Sequence, residues 1–409
     1  MQALRFIRSV PRWLLVRGLG PYVPSLATGS LSCIQLAQVD PPVRPAPEWV
    51  RIKPKLSGIC GSDLSAIACK GSPYFSPFVS TPFTLGHEVV GAIEELGPAT
   101  PPEWKVGQRV VLEPALGCAV RGIEPPCAYC ARGQYAHCVN ILKGSIAGGI
   151  QTGYCASTGG GWSGGLVAHP SQLHAVPDGL SDDAAVLAEP FACSLHAALL
   201  APREPEATLL AIGCGSIGLL AIAGYRAVGG RGRVLALARY DHQAQMAREL
   251  GADEVCRERE TEAVYRWVLE RTSGSLHRPE LGKPVPLGGA PAVLDCVGSS
   301  QSIDDALRLA APGALVLMVG MPGIPKGVDM TALWYKALRL HGTYAYGWEA
   351  HGGRTVKTLA LALEILASDA GAKLAKLVNR RYPLHAYARA LDDAFRAGTS
   401  GAFKVVFEL

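Results

Sequence analysis

Apolar residues in the first part of the chain come in short runs bounded by Gly and Pro, such as Val89 to Ile93 and Val106 to Leu112. Such runs predict strands of a β-rich domain. The stretch from Gly148 to Gly165 carries glycine clusters and reads as loop. From about Asp182 the pattern changes. ATLLAIGCGSIG is a strand entering a turn, LLAIAGYRAVG continues as a helix, and RVLALA is the next strand. HQAQMARELGA predicts a helix closed by Gly251. AVLDCVG and ALVLMVG predict later parallel strands separated by the helical SIDDALRLA. Alternation of this kind implies an α/β fold with a doubly wound parallel sheet. The polar stretch Thr272 to Ala290 reads as a surface loop or insertion. The tail predicts one long amphipathic helix, VKTLALALEILAS, and a terminal strand, FKVVFEL. The expected division is a β-rich domain over 1–180, a doubly wound domain over 181–343 and a return to the first domain over 344–409.

At 409 residues the chain is too long for one ordinary core, and 49% hydrophobic with 18% charged residues is a globular composition. A net charge of +5, with basic residues spread along the chain, argues against a nucleic-acid surface. No unbroken apolar run is long enough to predict a membrane span. The start, MQALRFIRSVPRWLLVRGLG, lacks the apolar core and small-residue cleavage site of a signal peptide. The chain has 12 cysteines. Their clustering and the chain's size favour free thiols in a reducing, cytoplasmic setting over secreted disulfides.

Chemistry concentrates in a few motifs. Cys118, Cys127, Cys130 and Cys138 follow C-x8-C-x2-C-x7-C. Four thiolates on one loop can close a tetrahedral, structural zinc site. The loop Gly213-Cys214-Gly215-Ser216-Ile217-Gly218 is G-x-G-x-x-G between an apolar strand and a helix. That context suits close approach of a dinucleotide pyrophosphate to backbone N–H groups. The next strand ends in Ala238 and Arg239, where folds that prefer NAD place an acid for the ribose. A small residue followed by a guanidinium favours the 2′-phosphate of NADP. Asp241, three residues on, keeps NAD open. Cys60-Gly61-Ser62-Asp63 and Gly86-His87-Glu88 offer a thiolate and an imidazole as zinc ligands, and Glu189 in LAEPFACSLHA offers a carboxylate. His196 and Cys193, on the same predicted helix, read as packing groups.

The order GICGSD, LGHEVVG, four-Cys loop, AEPFACSLHA, GCGSIG, LDCVGSS, VLMVG resembles the zinc-dependent medium-chain dehydrogenase/reductase superfamily, in its polyol, threonine and glucose dehydrogenase branch. The resemblance runs from about residue 50 to the C-terminus. It implies a GroES-like catalytic domain joined to a Rossmann cofactor domain, with the site in the cleft between them. It implies a catalytic zinc on Cys60, His87 and Glu189, with Glu88 a ligand or neighbouring group that exchanges with substrate or water. Ser62 would pass the substrate proton. The four loop cysteines would hold a structural zinc, and Gly213, Gly215 and Gly218 would face the cofactor phosphates.

Three departures stand out. Eight residues, AVRGIEPP, separate Cys118 from Cys127 where the family usually has two. Ser65 stands where a His often completes the proton relay. The acid after the second Rossmann strand is missing. The implied activity is hydride transfer between NADP(H), or less favourably NAD(H), and a secondary alcohol or polyol or the matching ketone or aldehyde. The alternatives are a NAD-dependent sugar, polyol or threonine-type dehydrogenase and a non-catalytic dinucleotide sensor. The partners implied are a small-molecule alcohol or carbonyl and further copies of the chain, in a homodimer or homotetramer, without nucleic acid or membrane. Ser72 to Pro82, Gly144 to Trp162 and Tyr344 to Gly353 are the expected walls of the substrate pocket.

Overall fold

The computed structural model describes residues 1–409 and divides into two compact units, Met1–Glu189 with Tyr346–Leu409, and Pro190–Ala345. In the first unit a seven-stranded sheet runs Val378–Pro383, Lys404–Glu408, Val50–Gly58, Val89–Glu95, Arg109–Leu112, Leu173–Ala175, with Leu166–Ala168 also paired to Val50–Gly58. The C-terminal strand therefore lies beside the strand that leads to Cys60. The predicted strand at Val106 starts only at Arg109, because Val106 is exposed and Gly107 turns the chain at positive φ. Residues 148–165 contain no strand or helix, as their glycine content predicts.

The first forty residues carried no predicted element. They fold as strands Gln2–Phe6 and Ile34–Gln38 flanking a helix, Val10–Leu19. Both strands join Phe83–Thr84 in a small sheet. This sheet covers a core of Leu4, Leu85, Trp162 and Phe407, all buried. The Trp162 indole N–H donates to Gly58 O at 3.1 Å, and its ring meets Phe407 edge-on at 5.0 Å. One buried ring thus joins the strand before Cys60 to the C-terminal strand.

The second unit holds six parallel strands in the order Glu254–Cys256, Arg233–Leu237, Thr208–Ile212, Ala290–Asp295, Ala310–Met318, Arg339–Gly342. In chain order this is 3-2-1-4-5-6, the doubly wound arrangement of a Rossmann domain. The order reverses at Thr208–Ile212, and the glycine loop sits at the C-terminal end of that strand. The helices follow the predicted positions: Ser216–Ala227, Asp241–Glu249 and Ser300–Leu309.

Two expectations change. Residues 272–290 are not a plain loop but carry a hairpin of Ser275–His277 with Val285–Leu287. The tail is not one helix. Val356 and Lys357 close a hairpin strand, Arg354–Lys357, and the helices are Thr358–Leu366, Asp369–Ala375, Tyr387–Phe395 and the short Ala397–Ser400. Lys357 is held by Glu113 and by Ser171 O, both at 2.9 Å, which keeps it in the strand. Ser368 turns its hydroxyl back onto Ile365 O at 2.6 Å and ends the first helix there. No helix is long and apolar enough to cross a membrane.

Trp162→Ala should lower unfolding free energy by about 3–5 kcal/mol, measured by urea denaturation, because it empties a fully packed site. A loss under about 1 kcal/mol would place Trp162 outside the core that supports the Cys60 strand.

Candidate metal centres and dinucleotide loop

Cys60 sits where the strand Val50–Gly58 gives way to the helix Gly61–Ile67. The turn is fixed from both sides. Ile59 N–H donates to Val405 O at 3.0 Å, and Cys60 N–H donates to the Asp63 carboxylate at 3.0 Å. His87 and Glu88 precede the neighbouring strand Val89–Glu95, and Gly58 N–H donates to Glu88 O at 2.9 Å. A side chain at Gly58 would strike the Glu88 carboxylate, so the glycine leaves room for an acid. These ties bring ligand atoms of Cys60, His87 and Glu88 within 4.8 Å of one another.

All around this cluster, charge is buried. His87 is 3% exposed, and Asp63 and Glu88 are 0% exposed. Nδ1 of His87 faces the Asp63 carboxylate at 3.5 Å, which leaves Nε2 as the nitrogen free for an ion. Burial alone would push His87 down, but the Asp63 carboxylate and the Cys60 sulfur hold it well above an ordinary imidazole. A cation at the cluster would replace that proton. Lys404, on the C-terminal strand, pairs with the Glu88 carboxylate and donates to Ile59 O at 3.1 Å. Burial acts to lower its pKa; Glu88, Cys60 and Glu189 outweigh it and keep the ammonium charged. Glu189, at the start of the helix Ala188–Leu200, is buried but lies outside the 4.8 Å group. The Ser62 hydroxyl is buried and has no hydrogen-bond partner.

The second cluster is the cysteine loop. Despite the long first spacing, the sulfurs of Cys118, Cys127, Cys130 and Cys138 all lie within 4.8 Å of one another. Cys118 and Cys138 sulfurs are 3.6 Å apart. Backbone N–H groups point at the sulfurs: Cys127 N–H at Cys118 (3.3 Å), Cys118 N–H at Cys130 (3.4 Å) and Asn140 N–H at Cys138 (3.4 Å). Burial acts against ionising Cys127, yet hydrogen bonds from the Cys130 and Val139 backbone win and pull it down to about 6. Burial pushes Cys138 up to about 11 and Cys130 higher still. Four thiols gathered this closely are a donor set that fits zinc.

The glycine loop meets the requirements of a dinucleotide cradle. Gly213 has φ +91°, and a Cβ at Gly218 would run into Gly213 O. Gly215, the N-cap of Ser216–Ala227, faces open space where a phosphate could approach. Ser216 and Ile217 form the first turn of that helix. Ala238 is buried just past the strand Arg233–Leu237, while Arg239 is exposed with its guanidinium 5.9 Å from the Tyr240 ring. Asp241, the competing acid, opens the following helix and is paired with Arg257. Arg259 donates to Arg239 O at 3.4 Å.

The fold and these sites define a zinc-binding, nucleotide-dependent dehydrogenase architecture, and the comparisons agree. Residues 46–178 match the alcohol dehydrogenase GroES-like domain, and residues 216–363 match the zinc-binding dehydrogenase domain. L-idonate 5-dehydrogenase of Vitis vinifera is 27% identical over 388 residues, covering 92% of this chain and 93% of its own. Sorbitol dehydrogenase of Arabidopsis thaliana is 26% identical, covering 89% of each chain. Galactitol-1-phosphate dehydrogenase from Escherichia coli shares the fold at TM-score 0.71, with 22% identity and full coverage of both chains. The chain belongs to the zinc-dependent medium-chain dehydrogenase family. It is an oxidoreductase acting on alcohols with a nicotinamide cofactor.

Sequence reading missed three groups. Asp63 stood in a quoted motif without a role. Lys404 was visible as a lone cation in the apolar strand FKVVFEL. Arg257 and Arg259 lie in CRERE, after the third Rossmann strand, and gave no signal of proximity to Arg239.

Metal analysis of the purified protein should give about two zinc ions per chain, and Cys130→Ala should reduce this to about one with a clear drop in melting temperature. Unchanged zinc content and melting in Cys130→Ala would remove the cysteine loop from metal binding.

Proposed function

We propose that the protein is an NADP-preferring, zinc-dependent dehydrogenase that interconverts a secondary alcohol or polyol and its ketone. The observation that carries the reaction is the buried Ser62 hydroxyl two residues from Cys60, which has no hydrogen-bond partner and lies among other unsatisfied buried atoms, Asp63 Oδ1 and His87 Nδ1. An alcohol oxygen bound beside it would complete its hydrogen bonding, and its own oxygen can accept the substrate proton.

In this reading Cys60 and His87 hold the catalytic zinc, with Glu189 and Glu88 as the carboxylates at hand. Zinc there would supply Lewis-acid activation of the alcohol oxygen. Asp63 fixes the imidazole so that Nε2 faces the cluster. Lys404 neutralises Glu88 and leaves the cluster less negative than its residues alone would make it. Ser62 hands the proton on to water. A bound nicotinamide would supply the two-electron hydride acceptor for the carbinol carbon, while the proton would leave by Ser62. The named activities of the relatives, on idonate and sorbitol, make a polyhydroxylated secondary alcohol the first substrate class to test.

NADP preference rests on Arg239. It is exposed next to buried Ala238, and Arg259 adds a second guanidinium near its backbone. Asp241, the competing acid, is exposed and already has a cationic partner in Arg257.

Arg239→Asp should weaken NADP roughly ten- to a hundredfold, the worth of one charge-assisted hydrogen bond, while NAD affinity changes little. Equal effects on both cofactors would take Arg239 off the 2′-phosphate. Cys60→Ser should abolish alcohol turnover and leave dinucleotide binding intact, read by fluorescence titration; full activity would remove Cys60 from the metal.

A further inference from the structure

The eight-residue stretch between Cys118 and Cys127 contains Arg121, which is fully buried. Its charge is met by backbone carbonyls rather than by a carboxylate. Nε donates to Leu116 O at 2.9 Å, one terminal nitrogen to Lys143 O at 2.9 Å, Ala147 O at 3.3 Å and Ile146 O at 3.4 Å, and the other to Gly149 O at 2.6 Å. The backbone of Arg121 takes part as well. Its N–H donates back to Gly117 O and Cys118 O, and its carbonyl accepts from Ser145 N–H at 3.0 Å. Burial pulls the guanidinium below its ordinary value, with the sulfurs of Cys155, Cys138 and Cys118 pulling the other way. A cation this costly to bury is kept where a planar fork must organise several carbonyls at once.

The carbonyls it gathers all belong to residues 143–149, apart from Leu116. From there the chain runs directly to the metal cluster. Ile150 N–H donates to Phe78 O at 3.2 Å, in the aromatic turn Pro73–Phe78. Thr152 N–H donates to Pro114 O at 2.8 Å. Tyr154 then packs its ring 6.2 Å from the His87 ring and 5.1 Å from Phe83. The segment has no strand or helix to hold its shape, so its path depends on these backbone bonds and on the Arg121 side chain.

We propose that Arg121 is a positioning residue for substrate: it clamps residues 143–149 and so sets the wall that Ile150 to Tyr154 present beside His87. The inference rests on the proposed alcohol dehydrogenase activity for its kinetic arm only. Within it, the additional residues of the cysteine loop join metal lobe and substrate wall into one piece.

The test uses Arg121→Gln, Arg121→Lys and, with the arginine intact, Gly144→Ala. Gly144 has φ +91°, and a Cβ there would run into Arg121 O, so it disturbs the clamp from the other side. Hydrogen exchange of the zinc-loaded full chain should show faster exchange confined to 143–154 in all three. The KM for the alcohol should rise roughly ten- to a hundredfold in Arg121→Gln, as expected for a displaced binding wall. The KM for NADP and the zinc content should stay at parent values. Arg121→Lys should fall between parent and Arg121→Gln. Unchanged exchange over 143–154 overturns the proposal, as does faster exchange with an unchanged alcohol KM. A parent protein that oxidises no alcohol would sink the functional reading, and the exchange comparison alone then decides the clamp. If Arg121→Gln does not fold, Gly144→Ala decides both readouts.

Discussion

Burial of charge is the constraint on which the first unit is organised. Glu88 lies inside the protein, and the C-terminal strand delivers Lys404 beside it as its ion-pair partner. Removing either partner would leave a buried, unpaired charge, at a cost of about 3–5 kcal/mol. The pair explains several other features. Gly58 lacks a side chain because the Glu88 carboxylate occupies that space. The strand Lys404–Glu408 lies against Val50–Gly58, which places Lys404 next to Ile59 and the turn that aims Cys60. The end of the chain is thereby part of the metal cluster.

The two metal clusters manage negative charge differently. At Cys60 and His87, fixed counter-charges and a carboxylate behind the imidazole prepare a partly open set of donors. At the cysteine loop, four sulfurs surround one point and the backbone N–H groups turn inward, so the cation itself is the missing counter-charge. The first arrangement suits a site that takes a substrate oxygen, and the second suits a site that only holds a fold together. In the second unit a helix N-terminus and three glycines offer backbone N–H groups where a phosphate would be held.

Much of this was legible in the sequence because it is written in short-range patterns. Strand and helix periods gave the doubly wound sheet, since Leu209, Leu210 and Ala211 or Val293 and Leu294 are buried on both faces and leave no polar alternation. The family order of motifs pointed to Cys60, His87 and the cysteine loop. What could not be read locally depends on contacts distant in sequence. Lys404 meets Glu88 across more than three hundred residues. Arg257 pairs with Asp241 from beyond the third Rossmann strand, a contact that spacing alone did not show. The expected tail helix starts two residues late because Lys357 finds Glu113 in another part of the chain and stays in the hairpin strand. The long spacing after Cys118 looked like a weakness in the cysteine site; folded around Arg121, it brings Cys118 into the group.

The most direct test of zinc-dependent alcohol oxidation at the Cys60–His87 cluster is nicotinamide reduction followed over a panel of polyols, before chelation, after chelation and after zinc is restored. The account predicts turnover that disappears with the more labile zinc while the cysteine-loop zinc and the fold remain, and that returns when zinc is added back. Undiminished turnover in protein shown to have lost the labile zinc would contradict it.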